Sequence, residues 1–274
     1  MDNQIKGDLR HKLEELAADL VVSPEKMQEF AARWQAGFHQ YSFHNLVLIL
    51  VQRPDSRLCA GFNMWKKQGR HVNAGEKALW ILAPMIGRRK EKKIDPQTGE
   101  TTEEDVAVTW FKPVPVFDVT QTDGKPLDIG ANKARGGESL SLDSLAQVFP
   151  EYDFAVSQGL ADGWTDGKIV RVAERENKAQ MLASFLHEIA HNVLGHTGEQ
   201  RKDLSRELVE IEAESTAYLV ASCLGLENED AKAYIATWHG DRDKLTKSAL
   251  KILSAAEAML KRIQGTVSPE SAAN

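Results

Sequence analysis

The pattern His187-Glu188-Ile189-Ala190-His191 constrains this chain more than any other feature. Four residues is just over one helical turn, so on a helix both imidazoles project from one face, about 6 Å apart. Ala179, Leu182, Ala183, Leu186, Ala190 and Val193 recur around it at helical spacing, and Gly195 follows as a stop. Residues 176–194 are therefore expected to form a core-facing helix that carries both imidazoles. The pair suits two corners of a zinc tetrahedron, with Zn–N near 2.0–2.1 Å. Glu188 is too far round the helix to be a third ligand. It is placed instead to take a proton from water at the metal and hand it to a leaving amine. With eight histidines in 274 residues, the pattern arises by chance only about 0.02 times.

A catalytic zinc site needs a third protein ligand and one open position. A third histidine six residues after His191 is ruled out because Thr197 stands there, and His196 falls one residue short. The alternative is a carboxylate on a following helix, with an acidic partner one turn on to orient a ligand histidine. The next helical stretch, residues 204–224, contains Glu207, Glu210, Glu212 and Glu214 beside a stripe of Val209, Ala213, Ala217 and Val220. Glu210 is the chosen ligand and Glu214 its orienting partner, with Glu214 and Glu207 as alternatives for the ligand. An acidic solvated face is the competing reading, and Glu207 and Glu212 are assigned to it.

The first half has a different character. Lys and Arg total 34 against 40 Asp and Glu, yet residues 44–93 hold 11 basic side chains and only three acidic ones, Asp55, Glu76 and Glu91. A block of net charge +8 inside an acidic chain is a local field suited to a polyanion. Arg53, Arg57, Lys66, Lys67, Arg70 and Lys77 supply charge for phosphates. Tyr41, Phe62 and Trp65 supply faces on which bases can stack, with Trp65 the leading choice because Lys66 and Lys67 follow it. Trp34, Trp80 and Trp110 sit in apolar patterns and are expected in the core.

The longest apolar run, residues 46–51, is six long, far short of the ~20 needed to span a bilayer. No membrane partner is expected. The charged first residues lack a secretory pattern, and Cys59 and Cys223 read as buried thiols, so a cytoplasmic location is expected. Helices are expected at residues 5–20, 24–36, 44–52 and 61–68, followed by β-rich runs at 78–82 and 106–111. Residues 88–105 read as an exposed hairpin or loop. A Gly-, Pro- and Ser-rich stretch at 118–141 marks a domain boundary, giving domains 1–125 and 126–274. The second opens with a small α+β segment, continues into two helices at 176–194 and 204–224, and ends in a third at 244–263.

HEIAH followed by Glu210-Ile211-Glu212-Ala213-Glu214 resembles the ImmA/IrrE-like zinc metallopeptidases. Residues 41–55, 60–84 and 116–122 resemble the N-terminal domain of ArdC-type antirestriction proteins. The resemblance implies an α+β fold, with an N-terminal mixed α/β domain binding single-stranded DNA. It also implies a mainly helical, zincin-like peptidase domain with one Zn2+ per chain. Its function would be protection of incoming plasmid or phage DNA, with a protein or peptide as possible substrate. Two alternatives stand beside it: a regulatory metalloprotease that cleaves a repressor-type protein, and a DNA-coating protein with a non-catalytic metal site. An oxyanion partner is also needed, for which Tyr152, Tyr218 and His239 are the candidates.

Overall fold

Residues 2–38, 40–94, 101–127, 140–158, 163–198, 204–226, 235 and 242–265 are described in the computed structural model. The chain opens with α1 (Asp2–Val21) and α2 (Pro24–Arg33). Ser23 caps α2 by accepting a hydrogen bond from Lys26 N at 3.3 Å, and Pro24 occupies its first turn. One wide turn, Trp34–Phe38, leads to α3 (Phe43–Gln52). Ser42 starts α3, and the helix ends where Pro54 forbids its continuation. Leu46, Val47, Leu48 and Ile49 are all buried, so α3 runs through the middle of the molecule.

Beyond it come β1 (Cys59–Ala60), α4 (Phe62–Lys67) and β2 (Arg70–Val72). The long strands β3 (Leu79–Ile94) and β4 (Thr101–Asp118) follow, and then β5 (Thr122–Gly124). β3 and β4 pair antiparallel in unbroken register from Leu79↔Val116 to Ile94↔Thr101. The polar stretch expected as a hairpin or loop is thus a hairpin, whose strands reach much further than the two short β-rich runs. Trp110 lies near its middle, opposite Met85, and is 48% exposed, not in the core as expected. Its ring lies across Gly87, where a Cβ would stand 2.6 Å from the aromatic carbons. Only glycine leaves room for the ring there.

The sheet order β1-β4-β3 leaves β3 at an edge, and α3 covers the inner part of that edge with amides. Asn45 exchanges two hydrogen bonds with the backbone of Leu82, at 2.9 and 3.0 Å, and Gln52 exchanges two with Trp80, both at 2.9 Å. Residues 45 and 52 are two helical turns apart, so both amides reach one strand. This satisfies backbone groups that would otherwise form an open strand edge.

The second half contains α5 (Leu142–Val148) and a three-stranded sheet of β6 (Asp153–Ser157), β7 (Gly163–Thr165) and β8 (Ile169–Ala173) in the order β6-β8-β7. Helices α6 (Lys178–Val193), α7 (Arg206–Leu224) and α8 (Arg242–Ile263) complete it. Asn177 and Ser205 cap α6 and α7, and Gly225, at φ 73°, ends α7 in the left-handed conformation. Helix α1 packs on α8 and α2 on α7. Gln35 donates to Cys223 O at 2.7 Å, and Phe43 N donates to Glu257 at 2.9 Å. Buried side chains from both halves form one continuous core. Of the expected boundary stretch, residues 128–139 lie outside the described residues. No helix among the described residues is long and apolar enough to cross a membrane.

Candidate functional site

Helices α6 and α7 lie side by side and bring the expected ligands together. His187 Nε2 and His191 Nε2 are 3.0 Å apart, and Glu210 Oε2 is 3.5 Å from each. Four atoms held tetrahedrally at about 2.0–2.1 Å from zinc stand roughly 3.4 Å from one another. The three donors thus outline one face of such a tetrahedron, and among the described residues no fourth donor joins them. Among the described residues, His187, His191 and Glu210 are the group whose ligand atoms cluster closely enough to hold a metal. Glu207 is exposed and stays on the solvated face.

Glu214 Oε2 lies 2.6 Å from the outer nitrogen, Nδ1, of His187, as a charge contact rather than an aligned hydrogen bond. Burial works to lower the pKa of His187, but the carboxylates of Glu210 and Glu214 overcome it and raise the imidazole to about 10. Without metal, His187 therefore carries a proton at neutral pH. Its folded value exceeds its unfolded one, so its contribution to stability is complete below the usual histidine range and fades as pH rises through about 10. Burial holds His191 below its ordinary value, and contact with both imidazoles pushes the Glu210 carboxyl well down. Neutral His191 and ionised Glu210 are the forms a cation requires.

Glu188 is buried and points the other way, toward β7. A Cβ on Gly163 would stand 2.9 Å from Glu188 Cγ, so the carboxylate lies directly against the strand backbone. β7 is the edge strand of its sheet and packs on α6. A carboxylate thus sits between the imidazole–carboxylate cluster and a strand that, among the described residues, is at the edge of its sheet.

Two residues that the sequence reading passed over belong to the same cluster. Glu212 was expected on a solvated face, but it is 2% exposed, because position 212 is turned away from 210 and 214 and faces α8. It accepts hydrogen bonds from Ser248 Oγ and, at 2.8 Å, from Lys251 Nζ. Burial opposes ionisation of Glu212, yet contacts with His196, Lys251 and Ser248 bring its carboxyl down to about 2. His196, one residue out of register as a ligand, is fully buried between Glu212 and His191. The signal that could have found it was Gly195, whose left-handed turn (φ 72°) folds the chain back after α6.

Of the oxyanion candidates, Tyr152 is stacked on Phe149 with ring centroids 6.1 Å apart. Tyr218 is buried one turn beyond Glu214. His239 lies outside the described residues.

The basic block divides in two. Arg57, Lys66, Lys67 and Lys77 are exposed. Arg53 is half-buried, held by Thr120 Oγ1 at 3.0 Å and Asp55 at 3.5 Å. Arg70 is committed to the fold: its guanidinium donates to Thr122 Oγ1, Thr122 O and Lys125 O. That uses the donors meant for phosphate. Two of the three expected stacking faces also fail. Trp65 is 1% exposed and donates its indole N–H to Phe117 O at 2.9 Å. Tyr41 is buried, with its hydroxyl on Cys59 O at 2.8 Å. Both are amphipathic rings that pack into the core because a backbone carbonyl there accepts their polar end. Phe62, 56% exposed, is the open ring of α4.

Two family models match the chain: the N-terminal domain of anti-restriction factor ArdC over residues 3–117, and the IrrE N-terminal-like domain over residues 148–257. An uncharacterized protein of Bacillus anthracis is 28% identical over 315 residues, covering 97% of this chain and 53% of the relative. The chain thus spans about half the length of that curated relative. The crystal structure of the Mn(II)-bound antirestriction protein ArdC from plasmid R388 covers 94% of this chain and 98% of its own, at 16% identity and a TM-score of 0.51. Its metal-free counterpart covers 83% and 87%, at 20% identity and a TM-score of 0.46.

Fold and site together define an α+β chain in which an N-terminal domain is joined to a metallopeptidase-like helical domain. That architecture, an ArdC-like N-terminal match over residues 3–117 followed by an IrrE-like match over residues 148–257, is of the ArdC type.

Proposed function

We propose that this chain is an antirestriction protein that binds single-stranded DNA through its N-terminal part and carries a metal-dependent peptidase centre in its C-terminal part. The observation that carries the reading is the donor triangle of His187, His191 and Glu210, with sides of 3.0, 3.5 and 3.5 Å and Glu188 beside it. Zinc is the proposed ion, since two imidazoles and a carboxylate with one open position suit it. The Mn(II)-bound ArdC of plasmid R388 supports a divalent metal in this fold.

A divalent ion held there would polarise a carbonyl and acidify a water molecule. Glu188 then serves as general base, taking a proton from water and returning it to the leaving amine. The free edge of β7 beside Glu188 supports an extended peptide as substrate, because a strand edge offers main-chain hydrogen bonds to an added strand. Among the described residues no fourth side chain joins the three donors, which favours hydrolysis over a closed structural site.

For DNA, the proposed contacts are Arg57, Lys66, Lys67 and Lys77 to phosphates, with Arg53 at the margin. The base platform is Phe62, one helical turn before Lys66, in place of the buried Trp65 and Tyr41. Exposed Trp110 and Phe111 on the hairpin, beside Arg88, Lys90 and Lys112, extend the same combination of rings and charges. A salt titration of fluorescent oligonucleotide binding by the full chain tests this half. Four to six phosphate contacts on a single strand give a log–log slope of about −3 to −4. Lys66→Ala with Lys67→Ala should flatten it by roughly one to one and a half units. Phe62→Ala should weaken binding by about 1–3 kcal/mol at unchanged slope. Binding that ignores salt and all three substitutions would refute the interface.

A further inference from the structure

We infer that Glu212, anchored by α8, fixes the tautomer of His191 through His196 and so keeps the Nε2 lone pair of His191 free for a cation. The inference rests on the metal reading above and names positioning residues for that same centre.

With both imidazoles neutral, the chain of contacts has one consistent arrangement, proton by proton. An ionised carboxylate has no proton to give. Glu212 Oε2 lies 2.8 Å from His196 Nε2, so His196 carries its proton on Nε2. Neutral His196 then has a bare Nδ1, and that atom lies 3.2 Å from Nδ1 of His191. One of the two must donate, so His191 carries its proton on Nδ1. What remains bare is His191 Nε2, the atom 3.0 Å from His187 Nε2 and 3.5 Å from Glu210 Oε2.

Each link is protected from water. The side chain of His196 has no exposed surface, and that of Glu212 is 3% exposed. Burying a carboxylate is costly unless its oxygens are satisfied, and here both are. Ser248 donates to Oε1, while Lys251 and His196 donate to Oε2. His196 reaches its place because α6 ends in a paired turn. His196 N bonds His191 O at 2.8 Å and Gly195 N bonds Asn192 O at 3.1 Å, with Gly195 left-handed. The turn that ends the ligand helix thus folds His196 back beneath the second ligand.

Helix α7 accordingly supplies three carboxylates with three tasks. Glu210 is a ligand, Glu214 meets His187 directly, and Glu212 acts on His191 through another imidazole. Outer partners of this kind fix ring orientation and tautomer in metal sites. The distance from α8 to the ligand atom is spanned entirely by side chains whose proton positions a single carboxylate dictates.

The test is ring 15N NMR of the histidine-labelled, metal-free full chain, combined with zinc affinity by competition against a fluorescent chelator. Wild type should show His191 protonated on Nδ1 and His196 on Nε2. In Glu212→Leu, no acceptor holds the proton of His196 on Nε2, so both imidazoles lose their fixed tautomer and zinc affinity falls 10- to 100-fold. Lys251→Met, at a half-exposed position, should lower affinity less and in the same direction. A folded Glu212→Leu with unchanged tautomers and unchanged affinity overturns the inference. Should that variant not fold, wild-type His191 protonated on Nε2 overturns it equally. Expected tautomers in a wild type that binds no zinc would leave the positioning chain standing and refute the metal reading instead.

Discussion

Glu188→Gln is expected to keep the metal and lose peptide hydrolysis by a factor of about 10²–10⁴, the share a positioned general base contributes. Glutamine fills the same space against Gly163 but accepts no proton, and Glu188 stands outside the ligand group. Binding and chemistry should therefore separate cleanly. Measured on a library of quenched fluorescent peptides, wild type should cleave and the variant should not, at equal metal content. Undiminished cleavage by the variant would remove Glu188 from the mechanism.

The second large effect concerns stability. Trp65→Ala should destabilise the fold by about 3–5 kcal/mol through the cavity it leaves, with about 1 kcal/mol more for the lost indole hydrogen bond to Phe117 O. For a domain of this size, the total lowers the melting temperature by roughly 8–24 °C. Phe62→Ala, at an exposed ring on the same short helix, should stay within about 0.5 kcal/mol of wild type. Calorimetric melts of the two variants distinguish a core tryptophan from a stacking platform. An unshifted melt for Trp65→Ala, with DNA binding lost, would restore the stacking role.

Those two residues mark where the sequence was legible and where it was not. The HEIAH pattern and its helix could be read directly, because a fixed i,i+4 spacing and an apolar stripe are local properties. Glu210 followed from the need for a carboxylate on the next helix, and the structure sets it 3.5 Å from both imidazoles. Trp65 was misread because flanking lysines suggest exposure. On a six-residue helix, though, the ring one position before them turns inward, toward a carbonyl of β4.

Trp110 was misread in the opposite sense. Its neighbours are apolar, but among the described residues no layer covers its side chain, midway along the hairpin. Glu212, His196 and the Asn45–Gln52 clamp on β3 are long-range arrangements, joined by contacts between helices and strands far apart in sequence. No local period encodes such contacts. Arg70 likewise looked free for phosphate until β5 and Lys125 closed around it.

The central claim is that His187, His191 and Glu210 form a metal centre, and titrating Zn2+ into chelator-treated full-length protein by calorimetry tests it most directly. One site per chain is expected. At neutral pH, binding should release about one proton, since only His187 of the three ligands holds one without metal, and buffers of different ionisation enthalpy report that number. Glu210→Ala should lose the saturable site. Wild-type protein that takes up no metal stoichiometrically, or Glu210→Ala that binds as wild type does, would contradict the assignment.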